Sequence, residues 1–232
     1  MQILANELKQ VNVFQNAPDD DLHLILQNSI SRSIEEGGYF FFQGDSARYS
    51  YILTSGQVKL MQSNPKGQQV NLRTITAWEM FGALGAVHAD ANYPASAQTL
   101  ENCTALAVGS EFLHSMMETR PYLSFGLMNL MTDYIQEMQS RYRELATERV
   151  EQRVANALIR LAGQSGIRSK KKAGIELSFS RQDVAEMTGT TLYTISRLLS
   201  EWERQGILKT GRERIQILRP HDLVKIAEDL KK

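Results

Sequence analysis

The sequence predicts an α+β protein in which a β-roll (jelly roll) is followed by one long helix and a C-terminal winged helix-turn-helix. Three observations lead to this fold class. Short apolar runs separated by glycine-containing turns occupy residues 33–108, a pattern typical of jelly rolls and β-barrels. Apolar residues then recur at helical spacing over 121–146, and a helix pair with a glycine turn lies in 183–205. The predicted domain boundaries are 1–120, 121–147 and 148–232.

Bulk composition restricts the class of protein. Charged residues make up 22% of the chain and hydrophobic residues 42%, which is typical of a soluble globular protein. No apolar run approaches the roughly 18 residues of a membrane span, and no secretory signal pattern is present. Cys103 is the only cysteine, so an internal disulfide and a four-cysteine zinc or iron–sulfur site are excluded. We expect a cytoplasmic protein with no membrane contact and no metal site.

The first elements are predicted helices followed by short strands. Leu4, Leu8 and Val11 recur at helical spacing, and Pro18 followed by three aspartates is a typical helix start. From Ser33 onward the pattern changes to short runs punctuated by turn signals. The predicted strands include residues 39–42, 51–53, 58–61, 70–75 and 105–108.

A long helix is predicted from about Pro121 to Ala146, with two apolar stripes. One stripe follows the a/d repeat of a coiled coil, and the other lies on a different face. Three heptads are short for a coiled coil, so a buried amphipathic helix is the alternative. If one stripe packs on the β-roll and the other pairs with a second copy of the chain, the presence of two apolar stripes is explained. The a/d stripe comprises Met128, Met131, Ile135, Met138, Tyr142 and Leu145, all but Met131 assigned to a homodimer interface; the second stripe comprises Leu123, Leu127, Leu130 and Tyr134.

Residues 183–205 predict a helix-turn-helix. Ala185 lies where the second helix must approach closely, and Gly189 supplies the positive φ of the tight turn. Ile195 is the apolar residue that the second helix places in the core. This spacing of small, glycine and β-branched residues favours two short helices that meet near a right angle.

The ends of the two helices carry capping signals. Ser180 and Asp183 form a capping-box pattern at the start of the first helix, and Thr191 is placed to cap the second. Because the N-terminal end of a recognition helix contacts base edges in the major groove, the outer face of the second helix is the predicted DNA-reading surface. Its residues are Leu192, Tyr193, Ser196 and Arg197.

The C-terminal part is basic and ends in a predicted wing. Residues 148–232 hold 17 Lys+Arg against 11 Asp+Glu, although the whole chain has a formal net charge of zero. Such an asymmetry favours phosphate as a partner of this part. Residues 207–218 alternate around Gly211 and predict a β-hairpin, and a closing helix begins near Pro220. The basic residues of the hairpin are Lys209, Arg212 and Arg214.

In this order of elements and in three segments the chain resembles the CRP/FNR family of bacterial transcription regulators. The segments are QGDSARYSYILTSGQVKL (43–60), Met80-Phe81-Gly82 and ERVEQRVANAL (148–158). The resemblance implies a cyclic-nucleotide-binding-type sensor β-roll and a homodimer that binds palindromic double-stranded DNA. RNA polymerase is then an expected partner, and the protein is not an enzyme.

The resemblance also implies roles for residues of the helix pair. Arg197 matches an arginine that reads guanine, which it can do bidentately, and Ser196 matches a base-reading serine. Tyr193 is a departure, because many members carry a glutamate there that accepts a hydrogen bond from cytosine and braces the arginine. The residues implied to contact phosphates are Arg181, Gln182, Thr191 and Thr194.

The effector site departs further from the family pattern. Members that bind cyclic nucleotides carry F-G-E-L and an R-S/T-A step, whereas this chain has Phe81-Gly82-Ala83-Leu84 and Tyr93-Pro94-Ala95. Burial of a phosphate without a cation is costly, so we expect neither cyclic AMP nor cyclic GMP. The single cysteine excludes the family's oxygen-sensing cluster. An apolar cavity is expected instead, with walls formed by Met80, Phe81, Leu84, Tyr93, Leu127 and Met131.

The identity of the effector stays open at this level. The run from Asn92 to Gln98 is similar to the nitric-oxide-responsive branch of the family, which implies haem as one possibility. Haem needs an axial ligand, and none of the candidates matches a known ligand position. The alternatives are a haem-based sensor of nitric oxide or carbon monoxide, a regulator that responds to another small apolar or gaseous signal, and an effector-independent DNA binder. The candidate ligands are His88, His114, Cys103 and Met131.

Overall fold

The computed structural model describes residues 6–64, 69–88, 90–165, 167–168, 174–211 and 213–229. The chain forms two compact units, one comprising residues 1–67 and 72–137 and the other comprising residues 68–71 and 138–232. The division falls within the long helix. Among the described residues, no helix has the combination of length and apolar character that a membrane crossing requires.

The N-terminal segment forms short helices whose buried residues share one core with strand residues such as Ile52 and Met80. A 3-10 helix spans Asn12–Phe14, and an α-helix spans Asp19–Gln27 directly after Pro18. The three aspartates of its first turn are favourable at the positive end of the helix dipole. Leu8 and Val11 are both buried, but the predicted helix does not extend to Val11, which lies just before the 3-10 helix. Leu4 lies outside the described residues.

The predicted β-roll is confirmed as two four-stranded sheets in the described part of the first unit. One has the strand order β1-β8-β3-β6 and the other β2-β7-β4-β5, with antiparallel pairing. The five strands predicted from apolar runs are all present. The strands are β1 (Ser29–Ile34), β2 (Tyr39–Phe41), β3 (Tyr49–Ser55), β4 (Val58–Ser63), β5 (Gln69–Ile75), β6 (Met80–Phe81), β7 (Ser96–Thr99) and β8 (Cys103–Gly109).

Strand β1 was missed by the sequence pattern, which placed the first strand after Ser33. It pairs with β8 along its whole length, from Ser29 opposite Val108 to Ile34 opposite Cys103. Its side chains are mostly exposed, so its sequence, SISRSI, lacks the apolar alternation of a half-buried strand. Backbone pairing at the edge of the sheet forms this strand. Two helices were also not predicted, Leu84–Val87 and Ser110–Thr119.

The long helix spans Pro121–Thr147, as its periodicity predicted. Leu123 and Leu127 of the second stripe are buried in the first unit. Gly126 lies so close to the N-terminal segment that a Cβ there would be 2.6 Å from the carbonyl oxygen of Val13. The six a/d residues are at least 44% exposed in this single chain, and Phe125 extends the exposed stripe.

The second unit contains the winged helix-turn-helix. Helix Val150–Ser165 precedes the helix pair Arg181–Thr188 and Leu192–Arg204, and helix Pro220–Ala227 closes the chain. An ion pair of 2.6 Å joins Glu144 of the long helix to Arg160. The wing is an antiparallel hairpin, as predicted, within a sheet of order β11-β12-β10-β9. Its strands are β9 (Ile167–Arg168), β10 (Ile175–Leu177), β11 (Leu208–Thr210) and β12 (Ile215–Ile217).

Candidate DNA-binding surface and effector cavity

Local side-chain chemistry positions the first helix of the pair. Ser180 Oγ accepts from the backbone N–H of Asp183 at 3.1 Å, and Asp183 Oδ2 accepts from the N–H of Ser180 at 3.0 Å. The predicted capping box is therefore present. Gly189 ends this helix with φ +61°, and its N–H donates to the carbonyl of Ala185. The tight turn thus forms where glycine permits a left-handed conformation.

The recognition helix begins at a cap and presents two different faces. Thr191 Oγ1 accepts from the backbone N–H of Thr194 at 3.2 Å, which confirms the predicted cap. The inner face is buried and includes Ile195, Leu199 and Trp202. Tyr193 is 78% exposed on the outer face. The structure therefore separates a core-facing side from a solvent-facing side within one short helix.

Arg197 lies on the outer face, one turn after Tyr193. Its side chain is exposed, and within the described part of the chain its guanidinium has no hydrogen bond or ion pair. Ser196 beside it is partly exposed. A guanidinium that is not engaged by the protein keeps its five donors available for a partner.

Arg181 and Gln182, two predicted phosphate contacts, are engaged within the domain. Arg181 Nη2 donates to Thr210 Oγ1 of the wing at 2.9 Å, and Gln182 Nε2 donates to Glu186 Oε1 at 2.9 Å. Thr210 donates from its backbone N–H and its hydroxyl to Glu203, and these hydrogen bonds hold the pKa of Glu203 below its usual value. Arg181 thus connects the first helix to the wing, a role that the sequence did not indicate. Arg212 lies outside the described residues.

The first unit contains a cavity of about 200 Å³ between the β-roll and the first half of the long helix. Four of the six predicted wall residues line it, namely Leu84, Tyr93, Leu127 and Met131. The remaining lining residues come from separate strands, loops and helices, and the sequence pattern did not bring them together. They are Phe41, Leu60, Gly82, Ala83, Val87, Pro94, Ala95, Leu130 and Tyr134.

Met80 and Phe81 do not line this cavity, contrary to the prediction. Met80 packs in the core beneath the N-terminal helices. Phe81 is buried in the β-roll, stacked with Tyr51 at a centroid distance of 5.2 Å. Both residues of this two-residue strand are at most 2% exposed, because its side chains enter cores on its two sides. The following segment, from Gly82, forms the wall instead.

The polar groups of the cavity wall are satisfied by the protein backbone. Tyr93 Oη donates to the carbonyl of Tyr49 at 2.6 Å and accepts from the N–H of Tyr49 at 3.2 Å. Tyr134 Oη donates to the carbonyl of Met80 at 3.0 Å. Burial raises the pKa of Tyr134 to about 12 and also raises the pKa of Tyr93. Both phenols are neutral near pH 7, so the cavity presents mainly aliphatic and aromatic surface.

The chemistry of the wall does not suit a cyclic nucleotide. Ala83 and Tyr93 line the cavity at the positions of the glutamate and the arginine of the family pattern, and no lining residue carries a charge. A bound phosphate would lack a cation there, which is unfavourable in an apolar site.

Three of the four candidate haem ligands do not line the cavity. His114 Nδ1 lies 3.0 Å from the carbonyl oxygen of Ala86, and neither His114 nor His88 lines the cavity. Cys103 is buried in the β-roll core, where its thiol donates to the carbonyl of Gln57. Met131 alone of the four lines the cavity. A thioether is a weak ligand by itself, so the residues here do not fit a haem site.

An arginine supports Tyr134 outside the cavity lining. The guanidinium of Arg73 lies 4.3 Å from the centroid of the Tyr134 ring, a cation–π contact. Arg73 also forms ion pairs with Glu79 at 2.9 Å and with Glu137 at 3.4 Å. This group joins strand β5 and the turn before β6 to the long helix. The sequence did not indicate this group, since it joins residues 73–79 to residues 134–137 of the long helix.

Comparison with known proteins gives matches along most of the chain. A cyclic nucleotide-binding domain model matches residues 31–120, and a Crp-like helix-turn-helix domain model matches residues 152–226. The chain is 26% identical to the global nitrogen regulator of Synechococcus elongatus over 94% of this chain and 96% of that protein. It is 28% identical to the fumarate and nitrate reduction regulatory protein of Vibrio cholerae over 90% of this chain and 82% of that protein.

A solved structure supports the fold. FixK2 from Bradyrhizobium japonicum superposes with a TM-score of 0.75 at 18% identity, covering 85% of this chain and 96% of that chain. The predicted succession of β-roll, long helix and helix-turn-helix is thereby confirmed.

Proposed function

The chain belongs to the CRP/FNR family of DNA-binding transcription regulators, and we propose that it acts as a homodimer whose DNA binding responds to a small, neutral, apolar effector. In this proposal residues 1–120 form the sensor, 121–147 the dimerisation helix and 148–232 the DNA-binding domain. The protein would act in the cytoplasm as a regulator and not as an enzyme.

Met131 carries this proposal. It lines the apolar cavity, and it also belongs to the exposed a/d stripe of the long helix, with 44% of its surface exposed. A ligand that contacts Met131 would therefore bear on the residues through which two copies pair. An effector acts by binding one arrangement of the helices more tightly than another. Residues around Thr147–Arg149 would absorb the resulting rotation of the DNA-binding domains.

The exposed stripe supports the homodimer. Six large apolar side chains at a/d spacing are open to solvent on one helix face, and soluble monomers rarely leave such a continuous patch uncovered. Coiled-coil pairing would bury them against an identical stripe. The proposed interface residues are Met128, Ile135, Met138, Tyr142 and Leu145.

The size and chemistry of the cavity support a small neutral effector. At about 200 Å³ it lies below the roughly 300–1,000 Å³ of pockets for drug-sized ligands. Apolar cavities of about 150 Å³ bind molecules as small as benzene or xenon. Haem is a less favourable candidate, because it requires more volume, a strong axial ligand and partners for its carboxylates.

For DNA, we propose that two recognition helices enter successive major grooves of a palindromic site about one helical turn apart. Arg197 and Ser196 would contact bases, and Thr191, Thr194 and Gln182 would contact phosphates. Arg181 would also contact a phosphate while its guanidinium stays hydrogen-bonded to Thr210 of the wing. RNA polymerase is the proposed next partner once the dimer is on its site.

Two measurements on the purified full-length chain test this function. Selection from random duplexes should return a palindrome, and recovery of no preferred sequence, with and without cell extract, would refute the regulator function. Mass analysis of extracted small molecules, together with a visible spectrum, should reveal a neutral compound and no Soret band. A stoichiometric Soret band would instead support the haem alternative.

A further inference from the structure

Two neighbouring apolar side chains stand uncovered at the start of the recognition helix. Leu192 is 47% exposed and Tyr193 is 78% exposed, whereas Ile195 and Leu199 of the same helix are completely buried. Packing within the domain therefore does not explain why large apolar side chains occur at positions 192 and 193. Their position coincides with the end of the helix that approaches base edges.

The geometry of the helix places these residues beside the residues already assigned to bases. Thr191 caps the helix and so defines its first turn. Residues four apart lie above one another on a helix, so Leu192 neighbours Ser196 and Tyr193 neighbours Arg197. If Arg197 binds a guanine, Tyr193 and Leu192 face base pairs directly beside that guanine.

The chemistry of this face selects one kind of base feature. It offers a leucine, a phenol ring, a serine and an arginine, and no carboxylate occurs in the helix before Glu201. Cytosine is recognised in the major groove through acceptors such as carboxylates, whereas the C5-methyl group of thymine is the apolar feature of the groove. An exposed leucine and an aromatic ring are complementary to that methyl group.

We propose that Tyr193, assisted by Leu192, is a specificity-determining residue that reads thymine C5-methyl groups beside the guanine bound by Arg197. This inference rests on the proposed DNA-binding function and specifies what the site reads. It predicts that thymine flanks the guanine in each half-site.

Removal of the methyl group alone tests the proposal. The palindrome obtained by selection is synthesised with deoxyuridine in place of each thymine that flanks the guanine, and binding is measured by fluorescence anisotropy. Loss of one buried methyl contact should weaken binding about three- to fourfold per half-site and about tenfold when both half-sites are changed. Base pairing and the hydrogen-bonding edges of the base are unchanged by this substitution.

Variants assign the effect to the side chain. Tyr193→Ala should lose most of the difference in affinity between the thymine and deoxyuridine duplexes, whereas Tyr193→Phe should retain it because the ring is preserved. Val224→Ala, which changes an exposed apolar residue on the last helix, is the matched control and should also retain the difference.

The outcomes separate this inference from the function on which it rests. Equal binding of thymine and deoxyuridine duplexes by the unaltered protein, at a site that still contains the guanine, would overturn the methyl readout and leave the regulator function standing. Loss of the thymine preference in Tyr193→Phe would overturn the assignment of that preference to the ring, because the ring is preserved in this variant. Failure to select any site would instead refute the DNA-binding proposal. The comparison of the two duplexes uses the unaltered protein, so it tests the methyl readout even if Tyr193→Ala does not fold.

Discussion

Arg73 and Tyr134 form a cation–π pair in which the guanidinium lies 4.3 Å from the ring centroid. The same tyrosine donates its hydroxyl hydrogen to the carbonyl of Met80 and lines the apolar cavity. One side chain of the long helix is thus held by strands β5 and β6 and is also in reach of a ligand. Movement of Tyr134 on ligand binding would be transmitted directly to the helix.

Tyr134→Phe should weaken the first unit and alter the response to effector. The change keeps the ring for Arg73 but leaves the carbonyl of Met80 without its donor, at a cost of about 1–2 kcal/mol. Urea unfolding followed by circular dichroism measures the stability, and anisotropy with the operator measures the response. Tyr193→Phe alters an exposed hydroxyl and is the stability control. Unchanged stability in Tyr134→Phe would show that this hydrogen bond does not hold the helix.

Ile135→Glu should disrupt the proposed dimer. A charge at an a/d position would be buried without a partner in the pair of helices, and the change occurs twice per dimer. We expect monomer in sedimentation at micromolar concentration and at least a tenfold loss of operator affinity. Gln139→Glu introduces the same charge at an exposed position off the stripe and should remain dimeric. A dimer that survives Ile135→Glu would place the interface elsewhere.

Arg197→Ala should reduce operator affinity by about 1–3 kcal/mol and relax the preference for guanine at one position per half-site. The matched control is Arg204→Ala, since Arg204 is exposed in the last turn of the same helix and pairs with Glu201. Competition with duplexes altered at single positions locates the effect. A uniform loss at all positions would indicate a phosphate contact and not base reading.

Benzene should bind the apolar cavity and cyclic AMP should not. At ten times its Kd a ligand adds about 1.4 kcal/mol of stability, which corresponds to a rise of roughly 3–5 °C in Tm. Leu130→Trp fills the cavity and should abolish the shift, whereas Leu218→Trp, in the second unit, should leave it unchanged. A comparable stabilisation by cyclic AMP would contradict the apolar assignment of the wall.

The thiol of Cys103 should be unreactive in the native protein. Burial raises its pKa from the usual 9.0 to about 11, so the reactive thiolate is scarce at pH 8. The raised pKa contributes stability that is complete below pH 9 and is lost as the pH rises through 11. Labelling with Ellman's reagent at pH 8 should be slow without urea and fast with it. Rapid labelling of native protein would contradict this burial.

Local chemistry explains why the helix-turn-helix was predictable. Gly189 permits the left-handed turn, and Ser180 and Thr191 cap helices within three residues of themselves. Each of these interactions depends on neighbouring residues, so the residue types at that spacing suffice to indicate it. The a/d stripe was predictable for the same reason, because helical periodicity orders residues along one element.

The cavity and strand β1 required the tertiary structure. Met80 and Phe81 were predicted as wall residues, but their strand directs both side chains into cores. Strand β1 has few apolar residues and is formed by pairing with β8, more than 60 residues later in the chain. Periodicity does not report such long-range pairing.

By itself the sequence determined the order of elements, the turn and caps of the helix pair and the absence of polar anchors for a cyclic nucleotide. These features follow from residue types at short spacing, and local backbone chemistry decides them. Only the tertiary structure decided that Arg73 supports Tyr134, that Arg181 binds the wing through Thr210, and which side chains enclose the cavity. Those contacts join residues far apart in the chain, and packing of whole elements brings them together.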